Sequence, residues 1–213
     1  MKLELPDKKL LQKTGDVDYF YWNYKFPLSI IQKYRFKAIL RLLKNIKVKS
    51  LLEVGTGSGI FLPQLSKYCE DLYACDIHNN FNNIEKLCRF YTIKNYHLSQ
   101  QNIESTSYPD NFFDIIVGVS VIEFVRDLPK ALIEIKRILK EKGFFLTICP
   151  MKSNLLDFFV SLYSSKDPKE EFINSRESIA SELEKNFKVI EKGFMIPIIG
   201  KYFPIYTHYK LCK

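Results

Sequence analysis

A cluster of glycines between residues 50 and 59, which read SLLEVGTGSG, is the part of this chain best suited to chemistry. Its first residues are typical of a buried strand, and Gly55, Gly57 and Gly59 follow at every second position. Glycine adopts positive φ freely and lets a ligand approach bare backbone, so the spacing indicates a tight loop shaped against a cofactor. Residues Ile60 to Tyr68 can open a helix whose unpaired N–H groups face this loop, provided that Pro63 lies in its first turn.

Two other interpretations of the glycine loop stay open at this point. A glycine turn after a strand can simply close a connection, without any ligand. The dinucleotide fingerprint of NAD(P)-binding oxidoreductases needs its third glycine three positions after the second, whereas Gly59 follows Gly57 by two. This spacing therefore disfavours an oxidoreductase.

An acidic residue follows the second apolar strand, which we predict at Leu72 to Cys75. Asp76 stands at the end of that strand, some twenty positions after the glycines. A carboxylate there is placed to accept hydrogen bonds from both ribose hydroxyls of a nucleoside. A solvated aspartate at a strand end is the alternative, and the glycine loop before it makes that alternative weaker.

Together these residues resemble the class I S-adenosylmethionine (SAM) dependent methyltransferases, of the type 11 kind that includes ubiquinone-pathway enzymes. The motif I of that family is an acidic residue, one apolar residue and GxGxG, which Glu53, Gly55, Gly57 and Gly59 match residue by residue. Asp76 stands where the family binds the ribose of SAM. The resemblance covers residues 35 to 150 well, and it implies SAM as cofactor and S-adenosylhomocysteine as product.

The resemblance extends downstream through YPDNFFDIIVGVSVIEF to the predicted fourth strand, Asp114 to Val119. It places Asn102 where the family has an aspartate that contacts the exocyclic amine of adenine, with the backbone N–H of Ile103 reaching a ring nitrogen. Asn keeps a carbonyl acceptor, so the contact can survive without the charge. The implied cofactor-binding residues are Arg35, Glu53, Gly55, Thr56, Gly57, Gly59, Asp76, Ile77, Asn102, Ile103, Val119 and Ser120.

Arg35 enters this set through family members that methylate ubiquinone precursors. They have an arginine eighteen residues before the acidic residue of motif I, after a tryptophan segment. Arg35 stands eighteen residues before Glu53 and follows Trp22. By that resemblance its planar fork would pair with the carboxylate of SAM.

The resemblance predicts transfer of a methyl group from SAM to an O, N or C nucleophile of a small molecule. The protein then has mainly to align the reactants and exclude water. Glu123 and His78 are candidate general bases, but Glu123 more often orients a helix start and His78 stands beside the ribose carboxylate, so we assign no catalytic residue. The alternatives are a SAM-binding or RNA-binding module without catalysis, or an RNA methyltransferase.

Composition and charge narrow the possible partners and the cellular compartment of the protein. The chain has 213 residues and a net charge of +8, which raises RNA, an anionic substrate or an anionic membrane surface as partners. The lysines are spread thinly, so we expect a solvated surface and no nucleic-acid partner. Five cysteines form no CxxC pair, and no apolar stretch reaches 18 residues. We therefore expect a cytoplasmic monomer or homodimer with reduced thiols, of which Cys75 and Cys149 pack in strands, and no metal site.

The alternation of strands and helices after residue 46 predicts an α/β fold. We expect a Rossmann-like, doubly wound, seven-stranded sheet with an antiparallel last strand and helices on both faces. One domain would span residues 1–213, with an N-terminal lid and helix (1–45), a SAM-binding core (46–150) and an insertion (151–175) that either lies beside the substrate pocket or is a surface bracket. The predicted later elements are a helix from Leu128 to Lys140, capped by Asp127 and ended by Gly143, a fifth strand, Phe144 to Ile148, a helix, Arg176 to Lys185, and strands near 187–194 and 204–211.

The N-terminal region holds six aromatic residues between positions 16 and 27, with neither a helical nor a strand period. Such a segment covers something: either it is a strap packed on the domain or it is a lid that excludes water from a ligand pocket. A basic amphipathic helix follows, from Ser29 to Asn45. It could lie on a membrane, but a helix packed on the sheet with a wet lysine face is the simpler expectation.

Overall fold

The computed structural model describes residues 3–153, 176–197, 200 and 204–213. The strands are Val48–Val54 (β1), Cys69–Asp76 (β2), Tyr96–Gln100 (β3), Phe113–Val119 (β4), Leu139–Pro150 (β5), Lys188–Phe194 (β6) and Tyr206–Cys212 (β7). The described α-helices are Leu28–Leu42 (α1), Leu62–Leu65 (α2), Asn82–Phe90 (α3), Leu128–Ile138 (α4) and Arg176–Asn186 (α5). Short 3-10 turns lie at Lys8–Leu10, Phe20–Tyr24, Ser66–Tyr68 and Ile122–Phe124.

The seven strands form one sheet in the order β3-β2-β1-β4-β5-β7-β6. The first five pair in parallel, and β7 inserts antiparallel between β5 and β6. This confirms the predicted Rossmann-like sheet with an antiparallel last strand. The chain order reverses between β1 and β4, and the open end of such a switch point is where α/β sheets bind ligands.

Two apolar layers cover the two faces of the sheet. Alternate residues of β1 show the division, since Leu51 packs with the side chains of α1, α2 and α3, whereas Leu52 packs with those of α4 and α5. The side-chain period of two along a strand produces this alternation. Cys75 and Cys149 are buried in their strands, as expected. Helices on both faces are therefore confirmed.

The first helix packs on the sheet through a wide apolar face. Phe36, Ile39 and Leu40 are buried, and α1 contacts β4, β5 and β7. Its lysines and Arg41 are exposed, so the expectation of a packed helix with a wet basic face is confirmed. Among the described residues, none of the helices combines the length and apolar character that crossing a membrane requires.

The boundary between α4 and β5 differs from the prediction. Asp127 caps α4 by accepting a hydrogen bond from the Lys130 backbone, as expected. The helix ends at Ile138, however, because Leu139 already pairs with Phe113 of β4. Gly143 is thus no helix terminator: it lies inside β5, where a Cβ would stand 2.9 Å from the backbone oxygen of Asp114.

The helix expected from Ile60 to Tyr68 is a four-residue α-helix followed by a 3-10 turn, with Pro63 in its first turn as predicted. The expected insertion falls on residues 151–175, of which those from 154 onward lie outside the described residues. The helix predicted to end at Asn45 ends at Leu42, and the strands predicted to begin at Leu72 and Phe144 begin at Cys69 and Leu139. The other predicted helices and strands agree with the structure to within two residues at the ends we assigned.

Candidate active site

The glycine loop leaves β1 as a tight turn over the end of β2. Gly55, Gly57 and Gly59 all have positive φ, of 69°, 51° and 76°. The backbone N–H groups of Gly55 and Thr56 donate to the backbone oxygen of Cys75, at 2.9 and 3.3 Å. The loop therefore takes the left-handed backbone that the glycine spacing predicted, and it is fastened to the neighbouring strand.

Glu53 supports this loop from below. The side chain is 4% exposed, and its Oε2 accepts a 2.8 Å hydrogen bond from Thr56 Oγ1. Burial raises the pKa of Glu53 to about 8, against the smaller opposing effect of the Thr56 hydrogen bond. This carboxyl group thus holds the loop in shape while lining the cavity above it.

Asp76 lies across the loop at the end of β2. Its Oδ2 accepts a 2.8 Å hydrogen bond from the Gly57 backbone, and its side chain is 14% exposed. His78 closes the group, with Nε2 3.1 Å from the Gly57 carbonyl oxygen and 3.7 Å from Asp76 Oδ2. The structure brings Asp76 to the glycine loop, as its position in the sequence predicted.

Asn102 and Ile103 follow β3 at the same edge of the sheet. Asn102 Oδ1 accepts a 2.9 Å hydrogen bond from the Glu104 backbone. One lone pair of the carbonyl oxygen expected to face adenine is thus already used, and the second is left for a ligand. Ile103 is buried, whereas Ile77 on the facing loop is 72% exposed.

Arg35 reaches the opposite side of the cavity from α1. Its Nη1 donates a 2.6 Å hydrogen bond to Ser120 Oγ, and its guanidinium carbon lies 5.5 Å from the ring centre of Tyr206. Ser120 follows β4 with a φ of 51°, and its N–H donates to Ile148 on β5. Arg35 and Ser120, which are far apart in the sequence, are therefore direct partners.

Asp18 is a site residue that sequence reasoning missed. Its Oδ2 accepts hydrogen bonds from the N–H and the hydroxyl of Thr14, and its Oδ1 accepts one from the Phe20 N–H. A Cβ at Gly57 would stand 3.5 Å from its carboxyl carbon. Burial is the main cause that raises the pKa of Asp18. The N-terminal segment is thus folded directly onto the glycine loop.

Glu123 lies in the turn Ile122–Phe124, just after β4, and is 1% exposed. Its Oε2 is buried without a hydrogen-bond partner. Burial raises the pKa of Glu123 to about 8, although the charge of Arg35 acts in the opposite direction. The expectation that this residue serves mainly to orient a helix start does not account for an unpaired carboxylate oxygen.

These residues surround one cavity of about 840 Å³. It is lined by every predicted site residue except Gly59, which lies behind the loop against Ile84 and Leu62. Tyr19, Phe20 and Trp22 form part of its wall, and the rings of Tyr19 and Trp22 stack at 4.3 Å. The volume is in the range of small-molecule and cofactor sites. The cavity combines bare backbone, a carboxylate at one end and a guanidinium at the other.

Comparison with known proteins agrees with this arrangement. The family described as "Methyltransferase domain" matches residues 52–147. This segment of the chain is similar to the methyltransferase domain, which agrees with the class I SAM-dependent methyltransferase family expected from the sequence. The match begins inside β1 and ends inside β5, so it covers the five parallel strands and the glycine loop.

Relatives and solved structures extend the comparison. The chain is 28% identical over 148 residues to an uncharacterized methyltransferase of Bacillus subtilis, covering 68% of this chain and 57% of the relative. It is 31% identical over 103 residues to a ubiquinone/menaquinone biosynthesis C-methyltransferase of Vibrio parahaemolyticus, covering 46% and 40%. The chain thus spans about half the length of these relatives. A SAM-dependent methyltransferase structure from Aquifex aeolicus shares the fold, with a TM-score of 0.65 at 21% identity over 88% of this chain and 98% of that one.

Proposed function

We propose that this protein is a SAM-dependent methyltransferase that methylates an O, N or C nucleophile of a small molecule. The observation that carries the proposal is the cavity between Asp76 and Arg35, which is roofed by aromatic rings and floored by a glycine loop of positive φ. When bound, SAM supplies a methyl group on a positively charged sulfur.

The residues of the cavity suit the separate parts of SAM. Asp76 would accept the ribose hydroxyls, with Asn102, Ile103 and Ile77 on the adenine side. The unpaired Nε of Arg35, which is buried, can donate to a carboxylate beyond the bond that Nη1 makes to Ser120. Gly55 and Gly57 have no side chain that could obstruct the ligand, and the Thr56 hydroxyl is turned to Glu53.

The aromatic segment favours a small molecule over a polymer as the methyl acceptor. Tyr19, Phe20 and Trp22 line the cavity, and the segment is anchored by Asp18 beside the glycine loop. Aromatic faces favour a nearby cation and exclude water, both of which suit a sulfonium. A polymer such as RNA would enter only if this segment moved aside.

Calorimetry tests the proposal directly. We expect micromolar or tighter binding of SAM and S-adenosylhomocysteine, and no heat from NADH. Heat from NADH with none from either SAM species would refute the proposal. Incubation with methyl-labelled SAM and separate pools of small metabolites and bulk RNA then identifies the acceptor class. Label in RNA alone would favour an RNA methyltransferase, and tight SAM binding with no labelled product in either pool would favour a binding module.

A further inference from the structure

Three acceptor oxygens on the cavity wall are buried without a hydrogen-bond partner. They are Asn23 Oδ1, Gln32 Oε1 and Glu123 Oε2. Their residues are 2%, 5% and 1% exposed, and all three line the cavity. A buried acceptor without a donor costs free energy, so three of them in the lining of one cavity indicate a site that is completed by a ligand rich in donors.

Two of these atoms, Asn23 Oδ1 and Glu123 Oε2, can be assigned as acceptors from their hydrogen bonds and their functional groups. Asn23 Nδ2 donates a 2.8 Å hydrogen bond to the Phe20 carbonyl, which sets the orientation of the amide and leaves Oδ1 as the free end. A carboxylate has no donor of its own unless it takes up a proton. At least two of the three buried, unpartnered atoms in these lining residues are therefore acceptors.

The wall differs from the residues proposed to hold SAM. Asn23 comes from the turn Phe20–Tyr24, Gln32 from α1 and Glu123 from the turn after β4. The proposed SAM residues come instead from the glycine loop, from the ends of β2, β3 and β4, and from Arg35. The three acceptors are thus available for the second reactant.

We propose that Glu123, assisted by Asn23 and Gln32, binds the ammonium or hydroxyl group of the methyl acceptor and removes its proton. This inference rests on the proposed function, and it narrows the acceptor to an N or O nucleophile. The N–H or O–H bond breaks, and the proton bonds to Glu123 Oε2. The electron pair would stay on the nitrogen or oxygen as the lone pair that bonds to the methyl carbon, while the pair of the broken carbon–sulfur bond would stay on sulfur as S-adenosylhomocysteine leaves.

The electrostatic surroundings of Glu123 suit a proton acceptor. Burial raises its pKa to about 8, so this carboxyl exchanges a proton near neutral pH, and its ionised form is the one that accepts the proton of the acceptor. Among the described residues, Arg35, Tyr206 and Cys149 act on it electrostatically. Burial raises the pKa of the phenol and of the thiol, so of these three groups only the guanidinium carries a charge. The ionised Glu123 carboxylate would attract a cationic ammonium, and this attraction must exceed the repulsion from Arg35, whose charge the carboxylate of bound S-adenosylhomocysteine would offset.

The test uses the full chain saturated with S-adenosylhomocysteine and three probes that share one ring: phenethylamine, 2-phenylethanol and phenylacetate. We expect wild-type protein to bind phenethylamine about tenfold or more tightly than phenylacetate, because hydrogen bonds to charged groups are the strong ones. Glu123→Gln should abolish this preference and leave S-adenosylhomocysteine affinity unchanged. Asp16→Asn is the matched control, since Asp16 is exposed, lines the same cavity and loses the same charge.

The outcomes separate this inference from the proposed function. The role of Glu123 would be overturned if wild-type protein bound phenethylamine no more tightly than phenylacetate, or did not bind it at all. It would also be overturned if Glu123→Gln retained the preference for phenethylamine, or if Asp16→Asn abolished it as well. If Glu123→Gln does not fold, Gln32→Leu takes its place, and an unchanged affinity for phenethylamine and 2-phenylethanol in that variant overturns the donor-binding wall. If S-adenosylhomocysteine does not bind wild-type protein, the proposed function fails and this inference fails with it.

Discussion

The backbone N–H of Gly57 donates a 2.8 Å hydrogen bond to Oδ2 of Asp76, so one carboxylate both holds the glycine loop and faces the cavity. We expect Asp76→Ala to weaken SAM binding by about 1.5–3 kcal/mol, the range for losing hydrogen bonds to a charged group. Asp76→Asn keeps a carbonyl acceptor for Gly57 and should lose less. Calorimetry measures both, with Asp71→Ala on the same strand as control. Equal affinity in Asp76→Ala, with the fold intact by circular dichroism, would exclude Asp76 as the ribose ligand.

Two glycines of the loop should respond differently to an added methyl group. A Cβ at Gly55 would lie 2.3 Å from Val121 Cγ2, whereas a Cβ at Gly57 finds its nearest neighbour at 3.5 Å. Both have positive φ, which costs an alanine about 1–2 kcal/mol. Gly57→Ala should lose about that much stability in urea unfolding, and Gly55→Ala should lose more.

The double variant Gly55→Ala with Val121→Ala tests the cause of that difference. Removing the Val121 methyl groups should recover part of the loss at Gly55 and none of the loss at Gly57. Equal destabilisation of the two single variants would mean that Val121 moves aside without cost.

The aromatic segment offers a matched pair of variants. Trp22 lines the cavity, stacked on Tyr19, whereas its neighbour Tyr21 is not part of the wall. We expect Trp22→Ala to weaken SAM binding by about 0.5–2 kcal/mol through loss of the aromatic face, and Tyr21→Ala to leave that affinity unchanged. An unchanged affinity in Trp22→Ala would make the segment a strap and not a lid.

Deleting residues 1–26 is a harsher form of the same experiment. Leu11 is part of the main core, and the Glu4 backbone accepts a hydrogen bond from buried Gln64. The segment therefore packs as a strap as well as lining the cavity, and we expect the truncated chain to lose stability before it reports on a lid. The point variants separate these two roles.

Two buried glutamates should make stability depend on pH. The pKa values of Glu53 and Glu123 rise from an ordinary 4.5 to about 8 in the folded chain, so the native state favours their protonated forms. The stability that they contribute is complete below about pH 4.5 and is lost as the pH rises through 8, by up to about 1.4 kcal/mol per pH unit for each group.

Urea unfolding between pH 6 and 9, the upper part of that window, measures this slope. Glu123→Gln has no proton to lose, so its free energy of unfolding should fall less steeply than that of wild type. Glu70→Gln, at an exposed position of β2, is the control and should keep the wild-type slope. Parallel curves for wild type and Glu123→Gln would show that Glu123 ionises in the folded chain without a penalty.

Much of the fold could be predicted from the sequence because its signals are local. The apolar run of β4, the cap at Asp127 and the glycines after β1 each act within a few residues. The glycine loop and Asp76 were found for the same reason, since a strand that ends in a turn or a carboxylate is visible in the sequence. Their roles toward SAM stay predictions.

The remaining features depend on contacts between distant parts of the chain. Leu139 leaves α4 because Phe113 pairs with it across the sheet, and no helix signal records that pairing. Tyr206 lies beneath Arg35 only because β7 inserts next to β5. Asp18 was hidden among aromatic residues, although its spacing from Thr14 could have suggested a local hydrogen-bonded turn.

The contact between Arg35 and Tyr206 also bears on when the site can form during translation. β6 pairs with β7 and not directly with β5, so the described sheet is completed only when β7 inserts between them. A nascent chain that has released all of residues 52–147 from the ribosome still lacks the wall that Tyr206 supplies. The complete cavity therefore appears in a single late step, and a ligand that needs both Arg35 and Tyr206 cannot guide the folding of the strands before it.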